Sequence, residues 1–148
     1  MRIEDLEIGV PTNEGYTNIV NKVSFSLQKG ETLGIVGESG CGKSLTSLAI
    51  MDLLPPSVLY RGGKIKLKGK DLTKLPRKER RKIRGKDIAM IFQEPMTSLN
   101  PVYTIGYQIV ELILNHKNVS KKEAYEQALK MLQLVGIPRA EEVIHEYP

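Results

Sequence analysis

Apolar and polar residues alternate along the first third of the chain with the period of strands. Ile3, Leu6, Ile8 and Val10 stand among acidic residues, and Val23, Phe25 and Leu27 alternate with Lys22, Ser24 and Ser26, as in a half-buried strand. Gln28-Lys29-Gly30-Glu31 reads as a turn, and Thr32 to Val36 as a short apolar strand running into glycines. From Ser44 the period becomes helical: Leu45, Leu48, Ala49 and Asp52-Leu53 fit one helix, which Pro55-Pro56 stops.

After Gly62-Gly63 a short alternation, Lys64 to Lys68, predicts another strand, ended by Gly69. Pro76 to Arg84 is a basic helix with proline near its start and Gly85 past its end. Asp87 to Phe92 is nearly continuous in apolar residues, the pattern of a strand buried in a sheet. Gln93 to Pro101 reads as a loop. Ile105, Ile109, Leu112 and Ile113 then form one helical stripe. Ser120-Lys121-Lys122-Glu123 is a capping box opening a second helix, which stacks Ala124, Ala128, Leu132 and Val135 and stops at Gly136, with Pro138 beyond. Strand, loop and helix followed by another buried strand and helices indicate α/β architecture.

Composition narrows the function classes. Of 148 residues, 41% are hydrophobic and 26% charged, which fits a globular domain rather than a disordered chain. One cysteine excludes an internal disulfide framework and a Cys-rich zinc module, and two histidines add little toward a transition-metal site. No run approaches the roughly 18 apolar residues of a membrane span, and Met1-Arg2-Ile3-Glu4-Asp5 does not read as a signal peptide. A cytoplasmic protein is expected, with any membrane role exerted through a partner. The net charge of +5 is uneven: Arg61 to Lys86 carries 13 Lys/Arg against Asp71 and Glu79, and the rest of the chain is acidic. Such a stretch can meet nucleic-acid phosphates or anionic headgroups, but no aromatic residues interleave with it as a stacking platform would require, and a solvated charged face accounts for it as well.

One motif carries more chemistry than any other. Gly37-Glu38-Ser39-Gly40-Cys41-Gly42-Lys43-Ser44 matches G-x-x-x-x-G-K-[ST], with an apolar run before it and a helix after it. Glycines let the backbone turn several N–H groups inward around a phosphate, and the helix N-terminus adds positive potential. Lys43 is expected to reach the β- and γ-phosphates, Ser44 to ligate Mg²⁺, and the N–H groups of Ser44 and Leu45 to hold the inner phosphates. Cys41 lies inside the loop near Lys43, so alkylating it is expected to block nucleotide binding; its plain role is to supply a backbone N–H.

Longer segments carry a resemblance. Val23 to Gly40 resembles the opening of ABC-transporter nucleotide-binding subunits. Ala89-Met90-Ile91-Phe92-Gln93-Glu94-Pro95-Met96-Thr97-Ser98-Leu99-Asn100-Pro101 looks like their Q-loop, in the form typical of oligopeptide, dipeptide and nickel importers. The resemblance runs on through Gly136-Ile137-Pro138 to Glu146-Tyr147-Pro148. It implies a P-loop NTPase fold of the α/β class, with core residues 1–101 and the start of a helical subdomain at 102–148. It also implies ATP and Mg²⁺ as ligands, and gives Gln93 the role of contacting Mg²⁺ and the attacking water. The partners implied are transmembrane permease subunits and a second ATP-binding subunit, head to tail, at the cytoplasmic face of the membrane, with no direct cargo contact. Where the family stacks adenine on an aromatic residue, spacing back from Phe25 gives Val10, and Tyr16 is the nearest ring. The family's Leu-Ser-Gly-Gly signature, Asp-Glu-ended strand and switch histidine do not occur in these residues, so an N-terminal part of a longer ATPase with poor turnover by itself is expected. A complete small P-loop kinase, with Glu94 as the Mg²⁺ partner, is the alternative enzyme.

Overall fold

Ile3, Leu6 and Ile8 are all buried on one strand, although a strict two-residue period cannot place Ile3 and Leu6 on the same face. A bulge accounts for this in the structure, a computed structural model that describes residues 1–93 and 98–148. Strand β1 (Arg2–Thr12) pairs antiparallel with β2 (Gly15–Ser26) and with β3 (Leu59–Leu67). Between Ile3 and Leu6 it advances one residue more than β2, and between Glu4 and Glu7 one more than β3. Asp5 takes up the extra residue at φ +46°. Gly63 of β3 lies so close that a Cβ there would stand 2.5 Å from the Asp5 carbonyl oxygen. Glycine at 63 lets the bulge close, so Gly62-Gly63 lies inside β3 instead of preceding a strand.

The chain divides into two compact units, Met1–Arg84 and Gly85–Pro148. The first holds a four-stranded sheet in the order β2-β1-β3-β4, where β4 is the short Lys70–Asp71. Helix α1 (Lys43–Ile50) turns Gly42, Thr46 and Ala49 inward. Leu45 and Leu48, expected on the buried stripe, are half-buried, and the helix ends at Ile50 instead of reaching Leu53. Helix α2 (Arg77–Ile83) follows the basic stretch as expected and has no buried residue.

Two predicted strands do not form. Residues 32–36 belong to no sheet, the expected strand at 87–92 shows only an isolated bridge at Ile88, and Val36 and Ile91 are 91% and 95% exposed. An apolar run becomes a strand only where a neighbour accepts from its N–H groups and donates to its C=O groups, and β1 to β3 form their sheet without them.

The second unit is helical. Helix α3 (Ile105–His116) starts at Thr104, whose hydroxyl accepts from the Tyr107 N–H. Helix α4 (Lys121–Leu134) starts at the expected capping box: Ser120 Oγ accepts from the Glu123 N–H at 3.2 Å, and Glu123 Oε2 accepts from the Ser120 N–H at 2.8 Å. The Ser120 backbone N–H foremost, and the Ser120 hydroxyl, which also donates to Glu123 Oε2 at 2.8 Å, hold the Glu123 carboxyl below the usual glutamate range. A four-residue helix that the hydrophobic pattern does not announce, α5 (Ala140–Val143), supplies Ala140 to a core with Ala128, Leu132 and Ile144. Ile105, Ile109, Val110 and Ile113 pack on it, whereas Leu112 and Val135, both assigned to buried stripes by periodicity, are exposed. Gly106 passes so near Ile144 that its N–H donates to the Ile144 carbonyl at 2.8 Å.

Candidate functional site

The start of α1 is built by three glycines. Gly42 caps the helix with φ +91°, and no side chain satisfies the first N–H groups of the helix. It is buried, and a Cβ there would stand 2.7 Å from Val20 Cγ2 and 3.3 Å from the Ile19 carbonyl oxygen, so β2 presses directly on the turn. Gly40 has φ +82° and open space around it. A Cβ on Gly37 would meet Cys41 Sγ at 2.6 Å. The backbone between Gly37 and Lys43 is therefore tight on its protein side and open on the other.

Lys43 spans this loop. Its ammonium donates to the carbonyls of Gly37 at 2.7 Å and Glu38 at 2.6 Å, and lies 3.4 Å from Cys41 Sγ. Cys41 donates its N–H to the Glu38 carbonyl at 3.4 Å and is exposed. Ser39 and Ser44 are exposed as well, and Leu45 is half-buried. Thr46 anchors the turn from inside, giving both its N–H and its hydroxyl to the Gly42 carbonyl at 2.9 and 3.0 Å. A cation, uncapped N–H groups and the positive end of a helix dipole converge on one open loop, an arrangement that binds the phosphates of a nucleotide. The residues present fit such a ligand: the loop offers a lysine ammonium and backbone N–H groups, and the space around Gly40 is open.

The other predicted residues divide. Gln93 is exposed and belongs to the second unit, while the phosphate loop belongs to the first. Glu94, the acid of the small-kinase reading, lies outside the described residues. Val10 pairs with Thr17 across the β1–β2 hairpin, and Tyr16 pairs with Pro11 one step nearer its tip. Tyr16 is half exposed, and the Arg61 guanidinium sits over its ring, 3.9 Å from the centroid. Among the described residues no cluster of three His, Cys, Asp or Glu side chains could hold a metal ion. Among the same residues no helix is long and apolar enough to cross a membrane.

Sequence reasoning missed the far end of α1. Arg80 Nη1 donates to Asp52 Oδ1 at 2.7 Å, and Arg84 Nη1 donates to the carbonyls of Met51 and Asp52, each at 3.1 Å. Their signal was present, since both fall in the basic run, but charge patterning does not say which cations turn inward. Lys66 does so too, pairing with Glu4 at 3.0 Å, and this contact foremost lowers the Glu4 carboxyl. Beyond Gln93, Gln108 fastens the approach to α3: its amide N–H₂ donates to the Asn100 and Tyr103 carbonyls at 3.0 Å each, and its Oε1 accepts from the Asn100 N–H.

The glycine-capped helix and its lysine define a phosphate-loop nucleotide-binding protein. Comparison with known proteins narrows the class: the ABC transporter family matches residues 20–148, and the chain belongs to that family. It is 52% identical to the dipeptide transport ATP-binding protein DppD of Bacillus subtilis (strain 168), with all of this chain and 44% of that protein covered. Against the oligopeptide transport ATP-binding protein OppD of the same strain it is 48% identical, covering all of this chain and 42% of that one. The chain thus spans less than half the length of these relatives. Among solved structures, a dimeric bacterial ABC transporter cassette superposes with a TM-score of 0.84 over 99% of this chain and 61% of the cassette, at 21% identity. A dimeric ATP-binding cassette in a post-hydrolysis state bound to ADP and Pi superposes with a TM-score of 0.81 over the same share, at 20% identity. These neighbours establish the fold as that of an ABC nucleotide-binding cassette, the P-loop NTPase fold expected from the resemblance.

Proposed function

We propose that this chain is the phosphate-binding part of the ATP-binding subunit of an ABC importer that takes up peptides or a related small solute. The observation that carries the reading is the open, glycine-capped start of α1 with Lys43 across it. Relatives named for dipeptide and oligopeptide transport support the solute class. Residues Gly37 to Leu45 would hold the phosphates of ATP through backbone N–H groups, and Lys43 would exchange its carbonyl partners for the β- and γ-phosphates. Ser44 and Gln93 would hold Mg²⁺. Bound ATP supplies a phosphoryl group whose transfer needs little covalent help and much positioning and charge stabilisation. In this reading 1–101 is core and 102–148 the start of a helical subdomain.

Tyr16 is our choice over Val10 for the base. Gly42 abuts Ile19 on β2, and at about 3.3 Å per residue Tyr16 lies roughly 10 Å further along that strand, about a ribose and its phosphates away. The partners are permease subunits and a second ATP-binding subunit in a head-to-tail dimer at the cytoplasmic membrane face. These 148 residues contain no Leu-Ser-Gly-Gly signature, so we expect them to bind Mg-ATP and to hydrolyse it slowly without the rest of such a subunit. Titration with a fluorescent ATP analogue, with and without Mg²⁺, tests the reading; saturable, Mg²⁺-dependent binding competed by ATP is the expected result. Binding that ATP does not compete away overturns it. Tyr16→Ala should weaken ATP binding about fivefold or more, as loss of a base stack does, and Val10→Ala should not.

A further inference from the structure

At the far end of α1 the first unit contains a cavity of about 150 Å³. Its walls are mostly apolar, formed by Ala49 and Ile50 of α1, Leu54, Ile65 of β3 and Leu72. Asp52, Tyr60, Thr73 and Arg80 interrupt them. Asp52 turns left-handed just beyond α1, at φ +55°, and its carboxylate accepts from Arg80 Nη1 at 2.7 Å. That pair occupies the carboxylate and holds the guanidinium in place. The Tyr60 hydroxyl donates to the Gly63 carbonyl and the Thr73 hydroxyl to Asp71 Oδ1, each at 2.6 Å. Both hydroxyls have therefore given away their proton and keep an oxygen able to accept. Arg80 Nε is the donor left over: it is buried and has no partner among the described residues. A buried N–H of a charged group is costly to leave unmade. Tyr60 is 39% exposed, so the cavity meets solvent beside its ring.

We propose that this cavity is a binding site for a small neutral molecule with an apolar body and one hydroxyl or carbonyl oxygen, with phenol as its simplest representative. The proposal does not depend on the nucleotide reading. A cavity of this volume takes one benzene-sized ring. Charge sets the rest of the choice: a carboxylate would lie beside Asp52, and an ammonium beside Arg80. The ligand oxygen accepts from Arg80 Nε, and a hydroxyl proton goes to the free oxygen of Tyr60 or Thr73. Water suits the space less well. Roughly five molecules would fill it, each needing about two to four polar partners that walls of alanine, isoleucine and leucine do not supply. Replacing such loosely held water by an apolar group favours binding.

The test titrates the full chain with phenol and with benzene, followed by saturation-transfer NMR of the small molecule. Phenol should bind with a Kd on the order of 1 mM, about tenfold tighter than benzene, which leaves Arg80 Nε without an acceptor. Arg80→Lys keeps a cation for Asp52 but has no Nε–H. It should weaken phenol binding about tenfold, leave benzene binding as it was, and change the melting temperature little. Ala49→Leu places three more carbons in the cavity and should abolish binding of both. If that variant does not fold, the phenol-to-benzene ratio in Arg80→Lys decides alone. Phenol that does not saturate the protein means that the cavity holds only water, and the proposal fails. It fails equally if benzene binds as tightly as phenol, if the preference for phenol survives Arg80→Lys, or if a folded Ala49→Leu protein still binds.

Discussion

Helices α1 and α4 begin in opposite ways. At α4 two of the donors at the start are satisfied from within, because Ser120 and Glu123 exchange bonds. At α1 the cap is a glycine, no side chain returns to the first turn, and the nearest cation reaches over the loop. Both residue choices obey the same need to satisfy the orphan N–H groups of a helix start. The difference is the source of the partner. A sealed start stabilises the fold, whereas an open one leaves its donors for a ligand and gives up that stabilisation until the ligand arrives.

The largest effect should come from removing the cation of the open start. Lys43→Ala should weaken ATP binding on the order of tenfold to a hundredfold, the range for losing charge-assisted hydrogen bonds, with little change in melting temperature. Isothermal titration of parent and variant would show it, and equal affinities would remove Lys43 from the site. Next comes the glycine itself. Gly42→Ala places a Cβ 2.7 Å from Val20 at a left-handed residue, and should destabilise the fold by about 2 kcal/mol while also lowering affinity. Urea unfolding with and without ATP separates the two losses. Sealing is tested at the other helix: Ser120→Ala should cost about 1 kcal/mol and leave ATP affinity unchanged. A change in affinity there would erase the distinction between the two starts.

The smallest effect is a pH dependence. Glu123 has its folded pKa lowered by the two Ser120 bonds. Its contribution is therefore complete above the ordinary glutamate range and is lost as pH falls through the lowered folded value. Thermal melts of the parent between neutral and acid pH should slope more steeply at the acid end than those of Glu123→Gln. Parallel curves would mean that the ionised carboxylate adds nothing to the cap.

How much of this could be read in advance follows from the range of each signal. The phosphate loop, the capping box at Ser120 and the stop at Gly136 are local. Each depends on residues a few positions apart, and each stands where the sequence put it. The bulge at Asp5, the left-handed Asp52 and the inward turn of Arg84 depend on residues 28 to 58 positions away in the chain, and no period announces them. Leu112 and Val135 failed for a related reason. Helical spacing names a stripe, but the width of that stripe is decided by what packs on it; Val110 took the place expected of Leu112. The strands expected at 32–36 and 87–92 were legible as apolar runs and still joined no sheet, because pairing belongs to two segments at once.

Those same two runs govern how the isolated polypeptide behaves in a tube. Val36 and Ile91 stand almost fully in water within stretches rich in β-forming residues. Such stretches recruit one another between molecules. A concentrated solution of the 148 residues should scatter light and bind hydrophobic dyes, and a charge placed at Val36 or Ile91 should act as a gatekeeper that keeps it clear.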